Sequence, residues 1–401
     1  MPVFKDSKDR EVELLNGVSE TKFYTFGSAE DPFLLFNGRE SLDEVTVAYQ
    51  TYGTLNADAS NAVLVFHALS GSQHLAGWNE SVEGVALWTD ACKPGWWDAF
   101  VGPGRALDTN EFFVVCANYL GGCYGSTGPR SINPKTGTPY AGGFPHLRMA
   151  DIVDVQVRLL DHLGIETLHS VIGASFGGCL AQVMATRHPQ RTKMVVAIAT
   201  GIDVPILTRI HNFEQICAIE EDPDFNKGYY YDGAPPNKGL ALARMIAHKN
   251  YISLDHMLTR ATERVMPRVA ERFDFYEIDH SIESYLCYAG NKFVRRFDSN
   301  TYLRILEAWQ KFDLAAEAGA ASIEHALSRC GHQHYLIFSI DTDVCFYPVA
   351  QRKIARCVQQ AGIPHHHLTV HSSKGHDAFL LEPELFAPFL AHDLLIGREL
   401  G

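Results

Sequence analysis

No apolar run in the 401-residue chain reaches the length of about 18 residues that a membrane-spanning helix needs, so no transmembrane segment is expected. Residues 1–10 are polar and charged and lack an apolar h-region, so no secretory signal is read there. No C-x-x-C pair occurs among the nine cysteines, which are scattered and odd in number. That pattern argues against a disulfide framework and fits free thiols in a reducing cytoplasm. Basic charge is also scarce, and the net charge is −13. A nucleic-acid binder needs a basic face for phosphates, and adhesion to anionic lipid needs the same, so both classes are excluded. A small anionic substrate is not, because one pocket can be basic on an acidic protein. Internal repeats and low-complexity tracts are absent.

What is present is a large apolar fraction, 46%, against 20% charged residues, enough for a sizeable core. Short β-rich runs alternate with helical stretches in the first half. Strands are expected at Val45–Tyr52, 62–67, 112–118, 168–173 and 194–200. Helices are expected at 149–163, where Ile152, Val155, Leu159 and Leu163 fall near helical spacing, and at Phe176–Arg187. Such alternation implies a parallel sheet covered by helices on both faces. From residue 203 to 326 the β-runs stop, and the segment is charged and rich in helix formers. Strands return at 335–340 and 366–370, and 383–395 reads as helix. The expected architecture is therefore an α/β, mostly parallel, doubly wound sheet built from residues 1–202 and 327–401. A helical cap formed by residues 203–326 is inserted into it.

The segment Gly173-Ala174-Ser175-Phe176-Gly177 is a G-x-S-x-G motif, with a strand before it and a helix after it. That context is what a nucleophile elbow requires, and it is the mark of an α/β-hydrolase fold. The tight turn needs small neighbours and lifts the Ser175 hydroxyl above the sheet edge, beside helix N–H groups that can hold an oxyanion. A serine hydroxyl is a weak nucleophile and needs a base. In this scaffold the chain order is serine, then acid, then histidine. Asp341 and Asp343 both follow the strand at 335–340, and strand position does not choose between them. His376 follows the last strand, after Gly375, and is the candidate base among 19 histidines. The loop after the strand at 62–67 should supply an oxyanion N–H, from Ala68 or Leu69, with Phe176 supplying the second.

Other patterns carry less chemistry. His365-His366-His367 with His371 hints at a metal, but alternate strand residues point apart and no acidic or cysteine ligand is spaced with them, so no metal site is expected. Trp96 and Trp97 suit a core or pocket wall. Gly121, Gly122 and Gly125 are not followed by G-K-[ST], so no nucleotide loop is expected.

Several segments together resemble one family, the homoserine O-acyltransferases, chiefly the homoserine O-acetyltransferases of methionine biosynthesis. They include His67-Ala68-Leu69-Ser70-Gly71, Asn118 to Pro129, Gly239-Leu240-Ala241-Leu242-Ala243-Arg244, Arg296-Phe297-Asp298-Ser299-Asn300 and Gly375-His376-Asp377-Ala378-Phe379-Leu380. The resemblance implies a Ser175–His376–Asp343 triad, since the acid lies in a segment matching Thr342 to Pro348. It implies oxyanion donors at Leu69 and Phe176, and contact between Asp377 and a substrate amine. It further implies acetyl-CoA as donor substrate, no tightly bound cofactor, and a homodimer formed through the cap. The family's cap carries an arginine for the amino-acid carboxylate in N-E-x-x-R, and that position is Ile216 here. Arg209, seven residues earlier, is a candidate replacement, and Tyr229 is a candidate pocket residue. The expected reaction is acyl transfer to homoserine or a related hydroxy amino acid. Two alternatives are an esterase or thioesterase with the same triad and water as acceptor, and a non-catalytic binding protein, against which the intact triad speaks.

Overall fold

The computed structural model describes residues 16–263 and 275–399, together with the antiparallel pair Val3–Lys5 and Glu11–Glu13. Most of residues 1–10 and the 264–274 part of the expected insertion lie outside the described residues. The aliphatic and β-branched runs assemble into one eight-stranded sheet. Its strands are β1 (Lys22–Phe26), β2 (Val45–Tyr52), β3 (Ala62–Phe66), β4 (Phe113–Ala117), β5 (Leu168–Ala174), β6 (Thr192–Ile198), β7 (His334–Ile340) and β8 (His365–Val370). Their spatial order is β1-β2-β4-β3-β5-β6-β7-β8. Strands β3 to β8 run parallel, and β2 is antiparallel to both of its neighbours. The edge strand β1 has no signal in the sequence beyond a short aromatic alternation, and it is exposed on one face.

Among the described residues the helices of ten residues or more are α1 (Met149–His162), α2 (Phe176–Arg187), α3 (Ile206–Glu220), α4 (Asn237–Tyr251), α5 (Leu254–Glu263), α6 (Ser281–Val294), α7 (Ser299–Gln310), α8 (Pro348–Gln360) and α9 (Ala387–Glu399). Period-2 alternation along the strands serves two cores. Leu64 and Phe66 of β3 pack with Val153 and Leu159 of α1, Leu180 of α2 and Ile354 of α8. Val63 and Val65 face the other way, into a cluster with Trp97, Phe100, and Leu390 and Leu394 of α9. Strand β5 is buried at all seven positions, as a central parallel strand covered on both faces must be.

Helices α3 to α7 lie between β6 and β7. Ile219, Leu240, Phe293, Phe297 and Trp309 of this segment belong to the same apolar cluster as Leu64 and Phe176. The insertion therefore shares the core of the sheet instead of resting on it. Its polar clasp is Asp298, the N-cap of α7, which accepts from the Thr301 N–H at 2.9 Å. The same buried carboxylate accepts from the hydroxyls of Tyr230 at 2.8 Å and Tyr231 at 3.0 Å. Arg130 lies 3.6 Å away. Deleting the carboxylate strands the buried Tyr230 hydroxyl, the half-buried Tyr231 hydroxyl and one helix N–H. The variant Asp298→Ala is expected to lose about 3–5 kcal/mol in urea unfolding, and Asp298→Asn clearly less. A loss below about 1 kcal/mol for the alanine variant would show that the clasp does not hold the insertion.

Candidate active site

Ser175 sits between the last residue of β5 and the first of α2, with φ 58° and ψ −127°, a conformation that side chains adopt only when packing forces it. The forcing contacts are identifiable. A Cβ on Gly177 would lie 2.3 Å from the Phe66 carbonyl oxygen, and one on Gly173 would lie 2.0 Å from that of Gly177. Only glycine lets α2 start this close to the end of β3. The strained turn is tied down on both sides. The Ser175 N–H donates to the Ile198 carbonyl at 2.9 Å, and its carbonyl accepts from the Thr200 hydroxyl at 2.8 Å.

The structure brings three of the expected residues into one line. His376 Nε2 is 2.7 Å from Ser175 Oγ, and His376 Nδ1 is 2.8 Å from Asp343 Oδ2. All three are buried. Asp343 Oδ1 accepts from the backbone N–H groups of Cys345 at 2.8 Å and Phe346 at 2.9 Å, which fixes the carboxylate plane. Asp341 takes no part, since its carboxylate bonds His371 at 2.8 Å and the Ser372 N–H at 3.1 Å on the exposed side. Burial by itself would lower the basicity of His376. The bonded Asp343 carboxylate, aided by Asp377, outweighs burial and holds its pKa above the usual 6.5. Rings of Tyr251, Phe346 and Phe379 surround the imidazole, with centroids 5.6 to 6.0 Å away.

The loop after β3 is built as a rigid shelf. The Gly71 N–H closes a turn on the Ala68 carbonyl at 2.9 Å. Arg296 donates to the Ser70 carbonyl at 3.1 Å, and Trp96 to the Ser72 carbonyl at 3.0 Å. Beneath the loop, the buried His67 ring stacks on Tyr119 with centroids 3.6 Å apart, and burial pushes its pKa down to about 3, so it stays neutral. Leu69 lies on this shelf and Phe176 opens α2. Among the described residues neither backbone N–H has a protein acceptor. Unpaired donors are ordinary at a helix N-terminus, and here one sits immediately after the serine.

A cavity of about 390 Å³ opens over Ser175 and His376. Its wall includes Leu69, Trp96, Tyr124, Tyr251 and Asp377, with Arg244, Arg260, Lys292 and Arg296 contributed by the insertion. Asp377 is half-buried in this wall. Burial raises its pKa, while His376, Arg244 and Arg260 pull it down only in part. Arg244 lies between the faces of Tyr251 and Phe293, at 5.4 and 4.9 Å from the ring centroids. The sequence segments around Arg244 and Arg296 were visible, but nothing in their spacing said which side chains would reach the serine.

Three expectations need correction. Tyr229 is 59% exposed and does not line the cavity, because its ring packs against Gly142 and Gly143. Arg209 is not in the wall either, and its guanidinium donates to the Gln310 carbonyl. Ile216 packs against the core and is not in the cavity wall. The cations whose charge reaches Asp377 are Arg244 and Arg260, both in the cavity wall. The reading of the histidine run also changes. His366 and His367 do point apart, but Asp393 of α9 lies 2.8 Å from His366 Nδ1, an acidic neighbour that strand spacing could not reveal. All nine cysteines are free. Among the described residues no helix is long and apolar enough to cross a membrane.

Residues 61–383 match the alpha/beta hydrolase fold family. A homoserine O-acetyltransferase from Solidesulfovibrio magneticus is 40% identical over 91% of this chain and 89% of its own length. A homoserine O-succinyltransferase from Halorhodospira halophila is also 40% identical, over 93% of this chain and 94% of its own length. Among solved structures, homoserine O-acetyltransferase from Bacillus anthracis superposes with a TM-score of 0.81 at 29% identity, covering 94% of this chain and 98% of that one.

The protonation of His376 can be tested with a simple activated ester. A base must be neutral to accept the Ser175 proton, and its pKa is raised. Serine acylation by p-nitrophenyl acetate should therefore fall as pH drops through a single-proton limb placed above 6.5. Asp343→Asn removes the cause, so the limb should move to lower pH and the rate should drop by about 10⁴-fold. A limb below the ordinary histidine value in the unaltered protein would contradict the assigned partner.

Proposed function

The chain belongs to the homoserine O-acyltransferases of the α/β-hydrolase fold, and from that premise we propose that it moves an acetyl group from acetyl-CoA to the hydroxyl of L-homoserine through an acyl-serine intermediate. The observation that carries the mechanism is the Ser175–His376–Asp343 line, with spacings of 2.7 and 2.8 Å, at the floor of the cavity. His376 Nε2 takes the Ser175 proton as Oγ attacks the thioester carbonyl. Asp343 holds the Nδ1–H tautomer and stabilises the imidazolium. The N–H groups of Leu69 and Phe176 receive the oxyanion, with Arg296 bracing the Leu69 loop through Ser70. Coenzyme A leaves as the thiol, taking the proton from His376. Homoserine then enters, its hydroxyl gives a proton to His376 as its oxygen attacks the acyl-serine carbonyl, and the tetrahedral adduct expels Ser175 Oγ, which takes that proton back from His376 as the O-acyl ester leaves.

The acceptor assignment rests on charge placement. Homoserine carries an ammonium and a carboxylate, and Asp377 and Arg244 offer one partner for each. Water as acceptor would need neither, so a half-buried carboxylate in a cavity that also holds Arg244 and Arg260 supports transfer over hydrolysis. The acetyl donor is supported by the acetyltransferase relatives, and succinyl-CoA is the competitor to include because a relative of equal identity uses that name. Nine free cysteines support action in the cytoplasm. Homodimerisation through the insertion is supported by an exposed apolar stripe on α3, Ile206, Ile210 and Phe213, at helical spacing.

Incubation with acetyl-CoA should add one acetyl mass to Ser175, and homoserine should discharge it as an O-acetyl ester. Ser175→Ala should lose at least ~10⁴-fold in turnover and all of the adduct. Arg244→Leu should raise KM for homoserine by about tenfold or more while donor acylation survives. Discharge at the same rate without homoserine would replace transfer by hydrolysis, and a succinyl adduct in preference to acetyl would replace the donor. Phe213→Glu should convert a dimer to a monomer in sedimentation, and an unaltered protein that sediments as a monomer would remove the dimer from the proposal.

A further inference from the structure

The end of the sheet far from Ser175 holds a second cluster with its own chemistry. Strands β7 and β8 are parallel neighbours with Leu336 opposite His366. His334 precedes Leu336 by two residues, so alternation places His334 and His366 on the same face of the sheet. That face is the one covered by α9, whose Leu390 and Leu394 pack against Leu336 and Phe338. Asp393 lies between those two leucines in sequence and is buried, with its side chain 4% exposed. One of its oxygens, Oδ2, is 2.8 Å from His366 Nδ1 and 3.5 Å from His334 Nε2. The three atoms all lie within 4.8 Å of one another. The two rings stand at 82°, with centroids 5.2 Å apart, so they meet edge to face and do not stack.

We propose that His334, His366 and Asp393 form a site for one divalent transition-metal ion with zinc-like preferences, clipping α9 to the β7–β8 edge. An ion about 2.1 Å from each donor holds donor atoms roughly 3–3.5 Å apart in a tetrahedral arrangement. Two of the three pairs are already near that spacing, and the third needs only a small ring movement. Two imidazole nitrogens and one carboxylate oxygen suit zinc, cobalt or nickel, whereas calcium and magnesium demand oxygen ligands. His334 is largely covered, with 13% of its side chain exposed, while His366 is half exposed and leaves a path for the ion and a fourth, water ligand. In the metal-free form His366 Nδ1–H donates to Asp393. On binding, the Nδ1 lone pair goes to the metal and the ring takes the Nε2–H tautomer, so a neutral imidazole neither gains nor loses a proton overall. The ligands lie at the beginnings of β7 and β8, and Ser175 follows the end of β5, so the site is independent of the acyl-transfer reading.

The test uses the full chain, stripped with a chelator and titrated with zinc sulfate by calorimetry, with metal content measured after gel filtration. One zinc per chain is expected. At a hundredfold excess over Kd, thermal unfolding should shift upward by about 3 °C. Cobalt(II) should give the intense visible absorption of a low-coordinate ion. His366→Asn, at the exposed ligand, should fold normally and bind zinc at least tenfold more weakly, and His334→Asn should do the same. Ser175→Ala should bind as the unaltered protein does. Absence of stoichiometric zinc, or equal zinc binding in His366→Asn, would overturn the proposal and leave Asp393 as a plain hydrogen-bond acceptor.

Discussion

The site depends on one close approach: the first turn of α2 against the end of β3. Gly177 lies so near the carbonyls of Phe66 and His67 that no side chain fits between them. That contact fixes where α2 begins, and it forces the backbone of Ser175 into a conformation with positive φ. The strain costs on the order of 1–3 kcal/mol and persists because β5, β6 and α2 over-determine it. The same contact sets the loop after β3 beside the first helical turn. A nucleophile, a helix N–H and a loop N–H thus become neighbours through a single packing constraint. A methyl group at position 177 would separate all three.

The rest of the site is assembled onto that fixed point from the distant part of the chain. His376 arrives on a loop whose turn at Gly375 has φ +79°, where a Cβ would strike the Ser253 N–H. The insertion meets this loop directly. The Ser253 N–H donates to Lys374 at 3.1 Å, and the Asp377 N–H donates to Tyr251 at 2.8 Å. Because the insertion also shares the sheet's apolar core, its helices form a packed roof. Ordered walls matter on the proposed mechanism, since transfer beats hydrolysis only where the acceptor is oriented and water is kept out.

How much of this the sequence disclosed follows from which interactions are local. The elbow is local: strand, small residues, serine and helix lie within about ten positions, and α2 runs as expected from Phe176 to Arg187. The parallel strands were equally legible, because β3 and β5 are buried on both faces and read as unbroken apolar runs. The choice between Asp341 and Asp343 was not readable from strand position, as both leave the same strand. The backbone turn at 343–346 decides it, by presenting two N–H groups to Asp343. The cavity wall was the least legible part. Helical spacing to Ile216 points to Arg209, and a family-like tyrosine stretch points to Tyr229, but whether a side chain in the insertion faces inward depends on how α3, α4 and α6 cross. Arg244 and Asp393 share this property, since each meets its neighbours only through tertiary packing.

The charge distribution ties the whole molecule to the proposed chemistry. The chain carries a net −13, yet Arg244, Arg260, Lys292 and Arg296 converge on one cavity. Surface charges act through water and are screened within a Debye length of about 8 Å. Charges lining a low-dielectric cavity act at contact distance and are screened far less. The local cations therefore dominate the field inside the cavity, where the net charge of the exterior acts only weakly. Asp377 shows the balance most clearly. Burial and the nearby Asp343 carboxylate push its pKa up, His376 and the two arginines pull it down, and the net direction is upward. On the proposed mechanism a substrate ammonium beside Asp377 would offset that shift, and the same substrate's carboxylate would meet Arg244. On that reading the pocket matches a zwitterionic acceptor at both ends, a match that water as acceptor would not need.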